Sequence, residues 1–228
     1  MNYAIILAGG IGSRTGLAIP KQFALIGNKP CIAHTIRAFE NHPDIDGIIL
    51  VCHSEHIETL TDIVNDEHFI KIRKIISGGE TRQNSSHKGI SAIPFLPDDT
   101  ILIHDAARPF VPGSVISAII EAVAKRGATL PAIPPADTLF KVHDNEMIEQ
   151  LVRHEILCAQ TPQGFSYSII KAAHERADEE KWNIATDDAG LVMRAGINPL
   201  VVEGSEQNIK ITTAKDLLFA EMIIRNQT

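Results

Sequence analysis

The sequence predicts an α/β fold: a mostly parallel sheet covered by helices. Three observations carry that prediction. Apolar runs at 3–8, 47–52, 72–77 and 100–104 are rich in Ile and Val and only five or six residues long, as strands buried on both faces are. The segments between them repeat their apolar residues at helical spacing. The order strand, helix, strand at these intervals makes βαβ units, which place their strands parallel.

In chain order, the run 3–8 is the first strand. Ile32, Ile36 and Phe39 share one face of the helix that follows. After the strand at 47–52, Ser54 is a fitting N-cap for a helix whose buried face holds Ile57, Leu60, Ile63 and Val64. A third helix is predicted over 81–93 and a fourth over 114–126, the latter closed by Gly127. Beyond Ala132 the rhythm breaks at Pro134-Pro135. Two short strands, 138–142 and 147–152, flank a turn at 143–146 and form a hairpin arm over about 134–152. Helices return at 166–179 and 186–195, strands at 199–202 and 208–212. Thr213 and Asp216 open the last helix with capping-box spacing. Without a repeat or a dividing linker, residues 1–228 read as one domain with an excursion.

Composition narrows the function classes. The 228 residues are 44% hydrophobic and 21% charged, which excludes disordered and collagen-like chains. Lys and Arg number 21 against 28 for Asp and Glu, a net charge of −7, which argues against non-specific nucleic-acid binding. Cys31, Cys52 and Cys158 lie far apart with no metal-ligand spacing, as in a reduced, cytoplasmic protein. Residues 1–7 lack the positive region of a signal peptide, and no apolar stretch approaches a membrane span.

The strongest local motif is Gly9-Gly10-Ile11-Gly12-Ser13-Arg14 at the end of the first strand. Glycines there let backbone N–H groups approach an anion. The loop lacks the Lys of a Walker motif, and its glycines are spaced one residue too far for a dinucleotide fingerprint. No acid follows the second strand to hold a ribose, so an NAD-type oxidoreductase is disfavoured. Instead the loop carries Arg14, with Lys21 close behind in Pro20-Lys21-Gln22. Two cations beside bare backbone suit a polyphosphate that gains charge during reaction; a flexible turn with solvated basic side chains is the alternative. A non-catalytic nucleotide sensor would not require that pair of cations.

Two further strand ends carry polar clusters. Gly78-Gly79-Glu80-Thr81-Arg82 leads into a helix through Ser85 and Ser86, residues that suit either capping or anion contact. His104-Asp105-Ala106-Ala107-Arg108-Pro109 puts a carboxylate where open α/β sheets bind ligands, although Asp105 and Arg108 could equally pair within a turn. His53 and His56 read as surface residues, Trp182 as packing, and Asp187-Asp188 as acids answering a helix dipole.

These motifs, together with Thr161-Pro162-Gln163 and Asn208-Ile209-Lys210-Ile211-Thr212, occur in one order along nearly the whole chain. The combination resembles the polyol-phosphate cytidylyltransferases, whose branches act on 2-C-methyl-D-erythritol 4-phosphate and on ribitol 5-phosphate. The resemblance implies a Rossmann-like nucleotidyltransferase fold and a homodimer whose arm reaches the partner. It implies CMP transfer from CTP with Mg²⁺. Arg14, Lys21, Arg153 and Lys210 take catalytic roles by that resemblance, and Leu7, Ala8, Gly9, Gly10, Gly12, Gly79, Glu80 and Ser85 line the nucleotide site. Asp105, Arg108, Thr138 and Thr161 surround the acceptor, with Asp105 as the metal contact. Leu7-Ala8-Gly9-Gly10, Thr15 and Val152-Arg153-His154-Glu155 depart from the methylerythritol pattern, the first and last towards the ribitol branch. Ala106-Ala107-Arg108, Gln163-Gly164-Phe165 and Thr186-Asp187-Asp188-Ala189 follow the methylerythritol branch and favour that acceptor.

Overall fold

The computed structural model describes residues 1–10, 19–182 and 186–225. The chain opens with β1 (Asn2–Ala8), a two-strand ribbon of β2 (Leu25–Ile26) and β3 (Lys29–Pro30), and α1 (Cys31–Glu40). It continues through β4 (Gly47–Cys52), α2 (Ile57–Asp66), β5 (Ile72–Ser77), α3 (Arg82–Ile90), β6 (Thr100–Asp105), α4 (Gly113–Arg126) and β7 (Ala128–Ile133). The hairpin strands are β8 (Phe140–His143) and β9 (Glu146–Gln150), followed by β10 (Cys158–Ala159), β11 (Gln163–Ser166) and α5 (Tyr167–Glu179). The last elements are α6 (Asp188–Arg194), β12 (Leu200–Glu203) and α7 (Ala214–Arg225).

The main sheet runs β10-β7-β11-β6-β1-β4-β5, with β12 also pairing β7. β1 lies parallel between β6 and β4, and β5 lies parallel to β4, while β11 runs antiparallel to both β6 and β7. Alternation along β1 explains the continuous apolar run. Ala4, Ile6 and Ala8 pack on one face with Ile36 and Phe39 of α1 and Ile116 and Ile119 of α4. Ile5 and Leu7 pack on the other with Ile90 of α3, Ile170 of α5 and Leu191 of α6. Both faces are buried, so every second residue must be apolar on each.

Several local expectations change. α2 is preceded by a 3₁₀ turn, Ser54–His56, capped by His53 rather than Ser54. Residues 208–212 form no strand: Ile211 N–H bonds Ala107 O at 2.8 Å, and its side chain joins a small cluster with Ile26 and Ala220. Its buried apolar side chain anchors a loop, which mimics strand alternation. The sequence also conceals β7, broken in appearance by Pro131, and β11. Gly164 of β11 is required by packing, since a Cβ there would lie 2.4 Å from Ile119 Cγ2 and 2.8 Å from Val123 Cγ2. Gly127 ends α4 in the left-handed region (φ 76°), and Asp216 Oδ2 accepts from Thr212 and Thr213 N–H to cap α7 as its spacing predicted.

The arm is a two-stranded hairpin with Asp144 and Asn145 at positive φ in its turn. Every residue of β8 and β9 is exposed, including Phe140, Val142, Met147 and Ile148.

Candidate active site

β1 is the point where strand order reverses, and the loops after β1, β4, β5 and β6 open at the same sheet edge. Open α/β sheets bind ligands there. A cleft of about 770 Å³ occupies the position. Leu7, Ala8, Gly9 and Gly10 form its floor, with Gly79, Glu80 and Ser85 on one wall and Asp105 and Lys210 on another. Lys21 also lines it. Gly12 and Arg14 lie outside the described residues.

Local bonding fixes each wall. Lys21 begins a single 3₁₀ turn, Lys21–Phe23, whose buried Gln22 donates from Nε2 to Ala8 O at 2.7 Å. That bond ties the cation to the end of β1. Thr81 caps α3 by accepting from Asn84 N–H, while Ser85 Oγ accepts from Gly79 N–H at 3.1 Å and donates to Thr81 O at 2.9 Å. Ser85 therefore shapes the glycine loop from behind as well as lining the cleft. Lys88 Nζ donates to Gly78 O at 2.8 Å, adding another cation at that wall.

The third wall is a charge cluster. Asp105 Oδ2 lies 2.7 Å from Lys210 Nζ and 3.9 Å from Arg108 Nε; Oδ1 lies 3.5 Å from Arg82 Nε. Burial would raise the Asp105 carboxyl, but Arg82, Lys210 and Arg108 together hold it well below the usual carboxylate range. It is an ionised counter-charge, not a general acid. Arg108 sits behind this wall, its Nη1 donating to Asn208 O at 2.7 Å; burial depresses its pKa. The turn pairing of Asp105 with Arg108 and the placement of Asp105 in the cleft thus hold together.

Arg82 lies in the cleft and was absent from the residues expected to bind ligand. Its Nη1 donates to buried Asp188 at 2.6 Å, so one guanidinium spans two carboxylates. Asp188 also accepts from Ser86 at 2.6 Å and lies 3.1 Å from His174 Nε2. Burial opposes its ionisation, yet Arg82 and His174 bring its carboxyl down to about 2. Asp187 alone answers the helix end, accepting from Gly190 N–H at 2.8 Å; its neighbour does more than the dipole reading allowed. The adjacent acids in sequence were the available signal, but the separation of 106 residues between Arg82 and Asp188 hides their pairing.

Other expected positions do not line the cleft within this chain. Thr138 and Arg153 do not join the cleft within this chain: they line a separate hollow at the arm base, and Arg153 Nη1 donates to Ala136 O. Thr161 is buried, its hydroxyl engaged by Asp105 N–H and His104, so it stands behind the acceptor wall and not on it. Both Asp105 oxygens already face cations, and the other carboxylate of its ion-pair cluster, Asp188, lies at the far end of Arg82, a donor set that does not fit a metal held by protein side chains. Among the described residues no group of three His, Cys, Asp or Glu converges on one point. His53 is half exposed and lines the cleft, beyond the plain surface position expected of it, and Trp182 is buried in the packing of α5 and α6. No helix among the described residues is long and apolar enough to cross a membrane.

Comparison with known proteins agrees with this geometry. The family model described as 2-C-methyl-D-erythritol 4-phosphate cytidylyltransferase matches residues 2–226. Proteins of that name from Clostridium tetani and Halalkalibacterium halodurans are 42% and 38% identical, each over 98% of this chain and 90% and 97% of their own length. The solved 4-diphosphocytidyl-2C-methyl-D-erythritol synthase of Anaerococcus prevotii superposes with a TM-score of 0.86 at 28% identity, covering 99% of this chain and 96% of that one. The 2-C-methyl-D-erythritol 4-phosphate cytidylyltransferase of Francisella tularensis gives 0.80 at 32% identity, covering 97% and 98%.

Proposed function

Since the chain belongs to the family of 2-C-methyl-D-erythritol 4-phosphate cytidylyltransferases, we infer that it moves CMP from CTP to 2-C-methyl-D-erythritol 4-phosphate and releases pyrophosphate. This is a step of isoprenoid precursor synthesis. The observation that carries the reading at the level of chemistry is the convergence of Lys21, Arg82 and Lys210 on a cleft floored by Gly9 and Gly10.

The acceptor is a phosphate monoester with a second pKa of about 6, so it is mostly dianionic at neutral pH. One of its oxygens attacks the α-phosphorus of CTP, and the bond from that phosphorus to the bridging oxygen of pyrophosphate breaks. No base is needed to generate the nucleophile. The obstacle is bringing two polyanions together and stabilising charge on the leaving group, which fixed cations meet by position and field. The Gly9–Gly10 and Gly79 backbone receives the nucleotide phosphates, with Lys21 at the reacting phosphorus, the role that the resemblance also gives Arg14. Lys210 leaves Asp105 for the acceptor phosphate, while Arg82 and Arg108 keep Asp105 compensated. Mg²⁺, when bound with the triphosphate, would supply further positive charge against the phosphates beside Lys21 and Lys210, without requiring Asp105 as a ligand.

The enzyme acts as a homodimer in this reading. Two features support it: an arm whose two strands are exposed throughout, with apolar Phe140, Val142, Met147 and Ile148, and the separation of Thr138 and Arg153 from the cleft. An arm reaching a second copy would bring these two residues to the acceptor. A cytoplasmic location accords with three unpaired thiols, two of them buried.

Incubation with CTP, Mg²⁺ and each polyol phosphate, following pyrophosphate, tests the assignment. The methylerythritol substrate should give the higher kcat/KM; preference for ribitol 5-phosphate would move the chain to the other branch, and transfer to neither would remove the reading.

A further inference from the structure

Behind the acceptor wall a chain of hydrogen bonds runs through two buried side chains, His104 and Thr161. Asp105 N–H donates to Thr161 Oγ1 at 3.2 Å. Thr161 Oγ1 lies 3.0 Å from His104 Nδ1, and His104 Nε2 lies 3.0 Å from Arg108 O. Arg108 N–H returns to Asp105 O at 3.0 Å, closing the turn. His104 is fully buried and Thr161 is 5% exposed.

The chemistry of the groups fixes every proton in this chain. Arg108 O is a carbonyl and can only accept, so His104 must carry its proton on Nε2. Nδ1 then has a lone pair, and the Thr161 hydroxyl must donate to it. That leaves the hydroxyl oxygen to accept from Asp105 N–H. Burial keeps the ring in this neutral form by pushing its pKa down to about 4.

Thr161 also holds the neighbouring loop through its main chain. Asn208 Nδ2 donates to Thr161 O at 2.7 Å, Arg108 Nη1 donates to Asn208 O at 2.7 Å, and Ile211 N–H reaches Ala107 O at 2.8 Å. The two segments that supply Asp105, Arg108 and Lys210 are therefore both anchored at one residue.

We propose that Thr161 and His104 are a buried positioning pair that sets the Asp105–Arg108 turn against the Lys210 segment for acceptor binding. Neither touches substrate. The pair acts through the placement of the cations it orients, where a small displacement lowers the rate steeply. This inference rests on the cytidylyl transfer assigned above, with the Asp105 wall as the acceptor end.

Thr161→Val preserves shape but leaves Asp105 N–H and His104 Nδ1 buried without partners, whereas Thr161→Ser keeps both bonds. In the intact enzyme, the valine variant should lower kcat/KM for the polyol phosphate about tenfold while changing KM for CTP less than about threefold. The serine variant should restore the wild-type value. A purely structural role would lower stability without this split between substrates. Nitrogen-15 NMR of the wild type should show His104 protonated on Nε2 and bare on Nδ1, with the Nδ1 resonance moving in the valine variant. Unchanged acceptor kinetics in Thr161→Val, equal losses for both substrates, a serine variant as impaired as the valine one, or a proton on Nδ1 would each overturn the pair. The NMR measurement needs no substrate, so a wild type that transfers nothing would defeat the proposed function and leave the pair to be judged by its spectrum.

Discussion

β6 and the β8–β9 arm are both short strands, yet they are built in opposite ways. All six residues of β6 are buried, and its end, from His104 to Arg108, is held by Thr161, Asn208 and the flanking strands. All nine residues of β8 and β9 are exposed, and among the described residues the arm is held chiefly by its own ladder and turn. An isolated two-stranded hairpin is marginal in water. The cleft therefore takes its geometry from the core of the chain, while the strands of the arm keep their side chains outside that core.

That contrast is broken most sharply at the cleft. Lys21→Ala should lower turnover on the order of 10²–10³-fold, as loss of a placed transition-state donor does, with circular dichroism unchanged. Near-normal pyrophosphate release would show that the cation is not part of the chemistry.

The arm should respond differently. Replacing exposed Met147 and Ile148 with Asp should shift sedimentation to the monomer and reduce transfer by at least about tenfold, with little change in the thermal midpoint of the core. A variant that stays dimeric and active would place the interface elsewhere.

A third prediction separates the two regions by pH. His104 has a folded pKa of about 4 against an ordinary 6.5, so the unfolded chain takes up this proton first. Its contribution is complete above pH 6.5 and is lost as pH falls towards 4, about 3 kcal/mol at the limit. The depressed carboxyls of Asp105 and Asp188 extend the loss below pH 4. Urea midpoints should fall from pH 7 to pH 5; a flat profile would mean that His104 is not buried neutral. The smallest effect belongs to packing: Gly164→Ala forces a Cβ against Ile119 and Val123 and should cost about 1–3 kcal/mol by overpacking, read as a lower thermal midpoint.

The same contrast governs what could be read from sequence. Strands buried on both faces write themselves as apolar runs, so β1, β4 and β6 were legible; β5 was legible from its Ile residues although it is an edge strand with no buried residue, and the hairpin showed between its turn residues. β7 and β11 were not, because Pro131 and Gly164 look like breakers until the neighbours that demand them are known. Ile211 suggested a strand because a loop anchored by one buried side chain carries the same local pattern. At the site, the glycine loops, Lys21 and Asp105 were visible because they lie at or soon after strand ends, whereas Lys210 was named from family resemblance. Arg82 on Asp188 and Thr161 on His104 were invisible because long-range pairing leaves no local spacing. Thr138 and Arg153 were named from family resemblance, and one chain does not bring them to the cleft.

Whether that cleft is completed by a second copy can be decided by mixing two impaired variants. Lys21→Ala spoils the cleft and keeps the arm; Arg153→Ala spoils the arm and keeps the cleft. After unfolding and refolding together in equal amounts, half the dimers are mixed, and each mixed dimer has one site with an intact cleft and an intact arm, so activity should recover to about a quarter of wild type. Activity no higher than the average of the two variants alone would contradict a site shared between copies.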